Sequence, residues 1–135
     1  MTSPAVELAT ALGDVNAMDS LMHDDVSMQL PASALEYAGP HRGRAAVLAF
    51  NSENFGQRYY PDVDVDILTA LEAGNLSAVR FRFRARLRRT GETYDGEYAF
   101  FVRSSGGLII EIFEFIDTLA LAEFMGTAVR TSAKP

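Results

Sequence analysis

The sequence predicts a single α+β domain, with helices in its first half, an antiparallel sheet in its second and a short closing helix. Two alternating runs predict the sheet. Asp62-Val63-Asp64-Val65-Asp66-Ile67 and Val79-Arg80-Phe81-Arg82-Phe83-Arg84-Ala85-Arg86-Leu87 switch between polar and apolar at every step, the period of a half-buried strand. Helix punctuation predicts the first half, with capping residues at Ser3 and Asp14 and a break at Gly13. At 135 residues the chain can support one core but not two, so residues 1–135 read as one domain.

Ser3-Pro4 opens the first helix, Ser3 as N-cap and Pro4 at the first helical position. Val6, Leu8 or Ala9, and Leu12 form its apolar face. Asp14 caps a second helix carrying Val15, Met18, Leu21 and Met22, which His23-Asp24-Asp25 closes. A strand follows from Val26 to Leu30, and Pro31 terminates it. Pro31, Gly39, Pro40 and Gly43 make residues 31–43 a loop or a short hairpin. A third helix starts near Arg44 and carries Val47, Leu48, Phe50 or Asn51, and Phe55. Gly56 weakens its end, and Pro61 bars its continuation.

The alternating runs are joined by the turn Glu72-Ala73-Gly74-Asn75. With Ala73, Gly74 and Asn75 in the turn, Asp66 opposes Arg82, Asp64 opposes Arg84 and Asp62 opposes Arg86. Such pairs contribute ~0.2–1 kcal/mol each, and a one-residue slip would set charges against apolar side chains. Two more strands, about Thr93–Arg103 and Leu108–Ile116, flank Ser104-Ser105-Gly106-Gly107. Asp117 or Thr118 caps a last helix running to about Met125 and ending at Gly126; the tail to Pro135 reads as frayed.

Bulk properties exclude several classes. There is no cysteine, so neither a disulfide framework nor a thiolate metal site can form. His23-Asp24-Asp25 has metal-friendly residue types, but adjacent residues at a helix end rarely converge on one ion, so no metal is expected. No phosphate loop, dinucleotide fingerprint or nucleophile elbow is present, and no cofactor is implied. The start shows no basic segment followed by an apolar core, and no apolar run approaches the ~18 residues that span a bilayer. The expectation is a soluble cytoplasmic protein that binds no membrane. The net charge of −6 argues against nucleic acid as a partner. The basic run Arg80, Arg82, Arg84, Arg86, Arg88, Arg89 is matched by aspartates and reads as an outer sheet face rather than a phosphate-binding strip.

The most informative segment is the last strand. In Gly-Gly-Leu-Ile-Ile-Glu-Ile-Phe-Glu-Phe-Ile-Asp both side-chain sets, Ile110/Ile112/Ile116 and Phe113/Phe115, are apolar, the pattern of a strand covered on both faces. Glu114 sits in that apolar row, where an ionised carboxylate is costly unless paired or hydrogen-bonded. Such a residue is either satisfied there or does chemistry.

The order of elements and four motifs resemble the nuclear transport factor 2-like superfamily, and within it the SnoaL-like polyketide cyclase and ketosteroid isomerase-like groups. The motifs are Gly13-Asp14, Asp24-Asp25-Val26, Gly39-Pro-His-Arg-Gly43 and the ending Glu114-Phe115-Ile116-Asp117. The resemblance covers about residues 6–126. It implies a cone in which a curved sheet and helices enclose an apolar pocket, with dimers formed through the outer sheet face. It also implies a small hydrophobic ligand, and acid/base isomerisation or aldol ring closure on a carbonyl compound. The alternative is a non-catalytic binding or assembly module.

The isomerase positions fall on Val6, Leu30 and Ala99, all apolar, so that machinery is absent. Glu114 matches the cyclase acid/base carboxylate and Asp117 its second aspartate, while the cyclase histidine falls near Phe100. Asp117 also stands where a strand gives way to a helix, the place for an N-cap. Tyr98 is a candidate oxyanion donor or a core tyrosine. Phe100 is a candidate wall residue, and Asn51, Phe55 and Tyr59 are candidates for the pocket entrance.

Overall fold

A computed structural model describes residues 2–126, so the tail from 127 to 135 lies outside the described residues. Helices α1 (Pro4–Thr10) and α2 (Val15–Asp19) come first. Both caps form: Ser3 Oγ accepts from the Val6 amide at 3.3 Å, and Asp14 Oδ1 from the Ala17 amide at 3.1 Å. The second helix is shorter than the sequence suggests, because strand β1 (Met22–Gln29) takes up His23, Asp24 and Asp25. Long-range pairing sets that boundary. Met22 aligns with Ile109, and the Leu21 carbonyl accepts from the Ile109 amide at 2.9 Å. Arg44 then ties Asp24 to the neighbouring Asp19, at 2.6 and 3.5 Å.

Residues 31–43 form a 3₁₀ turn (Ala32–Tyr37) and a two-residue strand β2 (His41–Arg42) paired antiparallel with β1, the short-hairpin alternative. Helix α3 (Arg44–Asn51) runs into a π turn over Ser52–Gly56, closed by the Gln57 amide on the Ser52 carbonyl at 2.8 Å. Phe55 within it and Tyr59 beyond it are both buried. The chain then pairs briefly with the end of the next hairpin, Tyr59 facing Leu87, before Pro61 breaks it.

The remaining strands are β3 (Asp64–Ala73), β4 (Leu76–Arg86), β5 (Thr93–Ser105) and β6 (Leu108–Ile116), followed by helix α4 (Thr118–Met125). The six-stranded sheet runs β2-β1-β6-β5-β4-β3. All neighbours are antiparallel except β1 and β6, which run parallel. The expected facing pairs Asp66–Arg82 and Asp64–Arg84 form, but by a different route. Ala73 faces Leu76, so Gly74-Asn75 is a two-residue turn, and a bulge at Leu68 shifts the register back by one. Gly74 adopts a φ of 61°, a value that favours glycine.

The alternation sorts the two faces. Val79, Phe81, Phe83, Ala85, Tyr94, Tyr98, Phe100 and Val102 are buried beneath α1–α3. Outside, Arg84 pairs with Asp64 and Asp66, Arg82 with Asp95 at 3.1 Å and Arg80 with Glu97 at 2.9 Å. These exposed pairs contribute ~0–1 kcal/mol each, so they specify register more than they stabilise. The outer face of β6 departs from the expectation of cover. Phe113 is half-buried, and Phe115 and Phe101 stand 44% and 52% exposed beside it.

One glycine in this sheet is required by its neighbour. Tyr94 folds along β5 so that its ring lies over Gly96, where an added Cβ would overlap the phenol hydroxyl and ring. Gly96→Ala is expected to cost about 1–3 kcal/mol in denaturant unfolding, as overpacked sites do. In a Tyr94→Ala background most of that cost disappears, and the double-mutant cycle gives the coupling.

Candidate functional site

The helices do not fill the space above the sheet. A cavity of about 930 Å³ lies between the 3₁₀ turn, the π turn, the end of the β4–β5 hairpin and α4. Its walls are mostly apolar, among them Leu30, Phe50, Phe55, Leu87, Ile116 and Leu121. Leu35 also lines it, 71% exposed, at a φ of 59° and ψ of −122°. That conformation costs a non-glycine residue ~1–3 kcal/mol and clusters at ligand clamps.

Glu114 reaches this cavity from β6. Its strand parity with Ile112 and Ile116 turns it to the inner face, and a bulge at Ile110 lets Ile109 join the same face. Only 2% of Glu114 is exposed, and Oε1 is buried with no hydrogen-bond partner among the described residues. The residue directly across on β5 is Phe100, which has no polar atom to offer. Desolvation alone raises the Glu114 pKa from 4.5 to about 8, so the carboxyl is protonated at neutral pH.

Tyr98 lies near this acid, and Tyr59 and Tyr94 lie near Tyr98. Tyr98 lines the cavity, and burial, with Tyr94, Tyr59 and Glu114 close by, holds its phenol well above the usual value. Burial pushes Tyr59 up to about 12, with the Arg58 guanidinium beside it opposing the rise, and pushes Tyr94 up as well. The Tyr59 hydroxyl lies beside the Arg58 side chain and the Tyr94 hydroxyl beside that of Tyr98. The rings pack on one another, Tyr59 with Tyr94 at 6.0 Å and Phe83 with Tyr98 at 5.7 Å.

The structure therefore brings Glu114, Tyr98 and Phe55 together on one cavity wall. Phe100, Asn51 and Tyr59 are buried behind that wall and do not line it. Both amide atoms of Asn51 are buried without partners among the described residues. Asp117 is exposed and caps α4, its Oδ1 accepting from the Ala120 amide at 2.9 Å. Three arginines on the cavity wall, Arg58, Arg88 and Arg89, were not anticipated from the sequence. Arg88-Arg89 breaks the alternation of the basic run by placing two arginines side by side, a signal the sequence did carry. Among the described residues no group of three or more His, Asp or Glu side chains could hold a metal ion. Nor, among them, is any helix long and apolar enough to cross a membrane.

An open curved sheet backed by helices, with a cavity between, is the nuclear transport factor 2-like architecture, and solved structures agree. An NTF2-like protein from Burkholderia thailandensis superposes with a TM-score of 0.74 at 22% identity, over 93% of this chain and 98% of that one. IdmH, a candidate polyketide cyclase from Streptomyces antibioticus, gives 0.71 at 21% identity, over 92% and 96%. TerC, co-crystallised with polyporic acid, gives 0.73 at 19%, over 93% and 100%. No curated protein matches in sequence. The chain belongs to the SnoaL-like domain family, whose model matches residues 6–112. That match ends two residues before Glu114.

Burial of Glu114 ties stability to pH. Its folded pKa lies above its unfolded one, so between about pH 4.5 and 8 the folded state binds more protons, and stability falls as pH rises through that window. Glu114→Gln removes this contribution. Unfolding free energies at pH 5, 6.5 and 8 should show the variant gaining on the wild type as pH rises, by about a few kcal/mol at pH 8.

Proposed function

We propose that this protein is a cofactor-independent acid/base enzyme acting on a hydrophobic carbonyl compound, by isomerisation or aldol ring closure. The observation that carries the proposal is the Glu114 carboxyl, buried, unpartnered at Oε1 and open to an apolar cavity. With a pKa about 8, it rests as an acid at pH 7. In ring closure its ionised form takes a proton from the attacking carbon, and the carboxyl so formed gives that proton to the carbonyl oxygen as the new carbon–carbon bond forms. In isomerisation its ionised minority takes a proton from the carbon next to the carbonyl and returns it further along the enol. Tyr98, un-ionised and close by, donates a hydrogen bond to the oxygen on which charge develops. The apolar walls exclude water and orient the ligand. Asp117 is engaged in its cap, so it is assigned no proton transfer.

Phe100 opposite Glu114 favours a second reading, a module that binds the same class of compound without turning it over, because no polar relay stands across from the acid. Native mass spectrometry of protein purified from its own host separates the two. A small ketone or polyketide is expected on both wild type and Glu114→Gln, converted only by wild type. With the substrate in hand, Glu114→Gln should lower kcat/KM by about 10²–10⁴-fold, the usual worth of a general acid or base. Conversion by neither protein leaves the binding reading, and equal conversion by both overturns Glu114 as the catalytic acid.

The outer face of the sheet is proposed as a homodimer surface. Leu71, Ala78, Phe101 and Phe113 form one cross-strand row, with Phe115 stacked on Phe113 at 4.9 Å. The adjoining Arg/Asp ladder carries both signs and can meet its own copy across a two-fold axis. Phe101→Glu is expected to convert a dimer to a monomer in sedimentation equilibrium, with the far-UV spectrum unchanged.

A further inference from the structure

The cavity mouth is unlike the rest of the protein in charge. Six of the ten described arginines have a carboxylate within ion-pair distance: Arg44, Arg80, Arg82, Arg84, Arg86 and Arg103. Arg42, Arg58, Arg88 and Arg89 have none among the described residues, and the last three all line the cavity. An acidic chain with carboxylates to spare has thus left three of its four unpaired guanidinium groups, among the described residues, around one opening. Apart from Glu114, which burial holds neutral, Glu53 is the one carboxylate on the same lining among the described residues.

Backbone pairing builds the cluster. The Arg88 amide donates to the Arg58 carbonyl at 2.9 Å, and the Tyr60 amide to the Arg86 carbonyl at 2.9 Å, so two distant segments hold Arg58 and Arg88 side by side. Arg88 is steadied by Nε donating to the Gly56 carbonyl at 3.3 Å and by its guanidinium lying 5.1 Å from the Tyr60 ring centroid. Arg58 is steadied by Nη2 on Asn54 Oδ1 at 3.2 Å. Each keeps other N–H donors for a ligand, and Arg89 adds a third guanidinium on the adjoining turn. The net charge of −6 does not oppose this locally, since at physiological salt charges are screened beyond about 8 Å.

Resting on the reading of the cavity as a site for carbonyl compounds, we propose that its ligand is an amphipathic acid. Its apolar carbonyl body extends to Glu114, and its planar two-oxygen anion, a carboxylate, is gripped by Arg58, Arg88 and Arg89. A guanidinium fork matches such an anion through paired hydrogen bonds, and a sulfonium, amine or neutral ester would gain nothing from it.

A matched probe pair tests this: 5-(2-naphthyl)-5-oxopentanoic acid and its methyl ester, titrated into the full chain by calorimetry at pH 7. The acid should bind at least about 10-fold more tightly, the order of one charge-assisted pair at a partly buried site. The Arg58→Gln/Arg89→Gln variant should reduce that preference below about 3-fold by weakening binding of the acid, with an unchanged far-UV spectrum showing that the variant is folded. Arg80→Gln on the outer face serves as the control and should leave the preference intact. Equal binding of acid and ester overturns the anion assignment but leaves the carbonyl-binding reading standing. A preference that survives the double variant overturns it too. Failure of both probes to bind at millimolar concentration sinks both readings together.

Discussion

The two-residue period of the β4–β5 hairpin is the constraint on which the rest of the molecule depends. Because side chains alternate across a strand, one register decides at once where the arginines, the aromatics and the acid go. In the register observed, Phe81 and Phe83 face the helices while Arg82 and Arg84 face outward to aspartates. A slip of one residue would bury the guanidiniums at several kcal/mol each, far more than the ion pairs outside contribute. The apolar face therefore chooses the register, and the charges follow it. β6 inherits the choice through its pairing with β5, which sets Phe100 against Glu114 and turns the acid inward.

Closing the inner face without filling it takes two irregularities. The π turn after α3 carries the chain across the sheet, and Phe55 and Tyr59 pack there on Phe83 at 5.2 and 5.4 Å. Gly96 removes a side chain at the one place where the Tyr94 ring needs the strand surface. Aromatic rings consequently crowd one end of the sheet, leaving the cavity between them and α4. α4 itself buries none of its residues fully, although Leu121, Ala122 and Met125 contribute to the cavity wall. An element with so little buried surface sits at the low end of local stability, which is where ligand-contacting elements are usually drawn from.

Local signals carried most of the fold. Ser3, Asp14 and Asp117 cap as their types and positions require, and the opposed Asp64–Arg84 and Asp66–Arg82 pairs follow from alternation. What escaped were features set by distant partners. His23-Asp24-Asp25 looks like a helix end, yet joins β1 because Met22 finds Ile109 far along the chain. The parallel β1–β6 pairing has no local signature at all. The bulge at Leu68 was hidden because a shorter turn and an extra residue cancel, leaving the distal pairs where a longer turn would have put them. Glu114 was legible as an anomaly in an apolar row. The arginines at the mouth were not, because Arg88 and Arg89 look like the end of an outer-face run until Tyr59 pairs with Leu87.

The buried acid and the cavity also constrain one another energetically. A carboxyl group left without a hydrogen-bond partner costs a protein about 1–3 kcal/mol even when neutral, a sizeable part of the ~5–15 kcal/mol that holds a domain together. Replacing Glu114 by leucine would remove that cost and extend the apolar row of Ile112 and Ile116. Enlarging the helices to fill the space would remove the cavity as well. Both remedies lie within a single substitution or a few, and neither has been taken. The strained backbone at Leu35, on the same wall, adds a third local cost with no packing return in view, since that side chain is largely exposed. Three local costs meet at this one cavity, and a ligand bound there, as proposed, would relieve them. On the proposed reading, a ligand that relieves them presents an oxygen to Glu114, apolar surface to Phe55 and Leu121, and negative charge to the arginines.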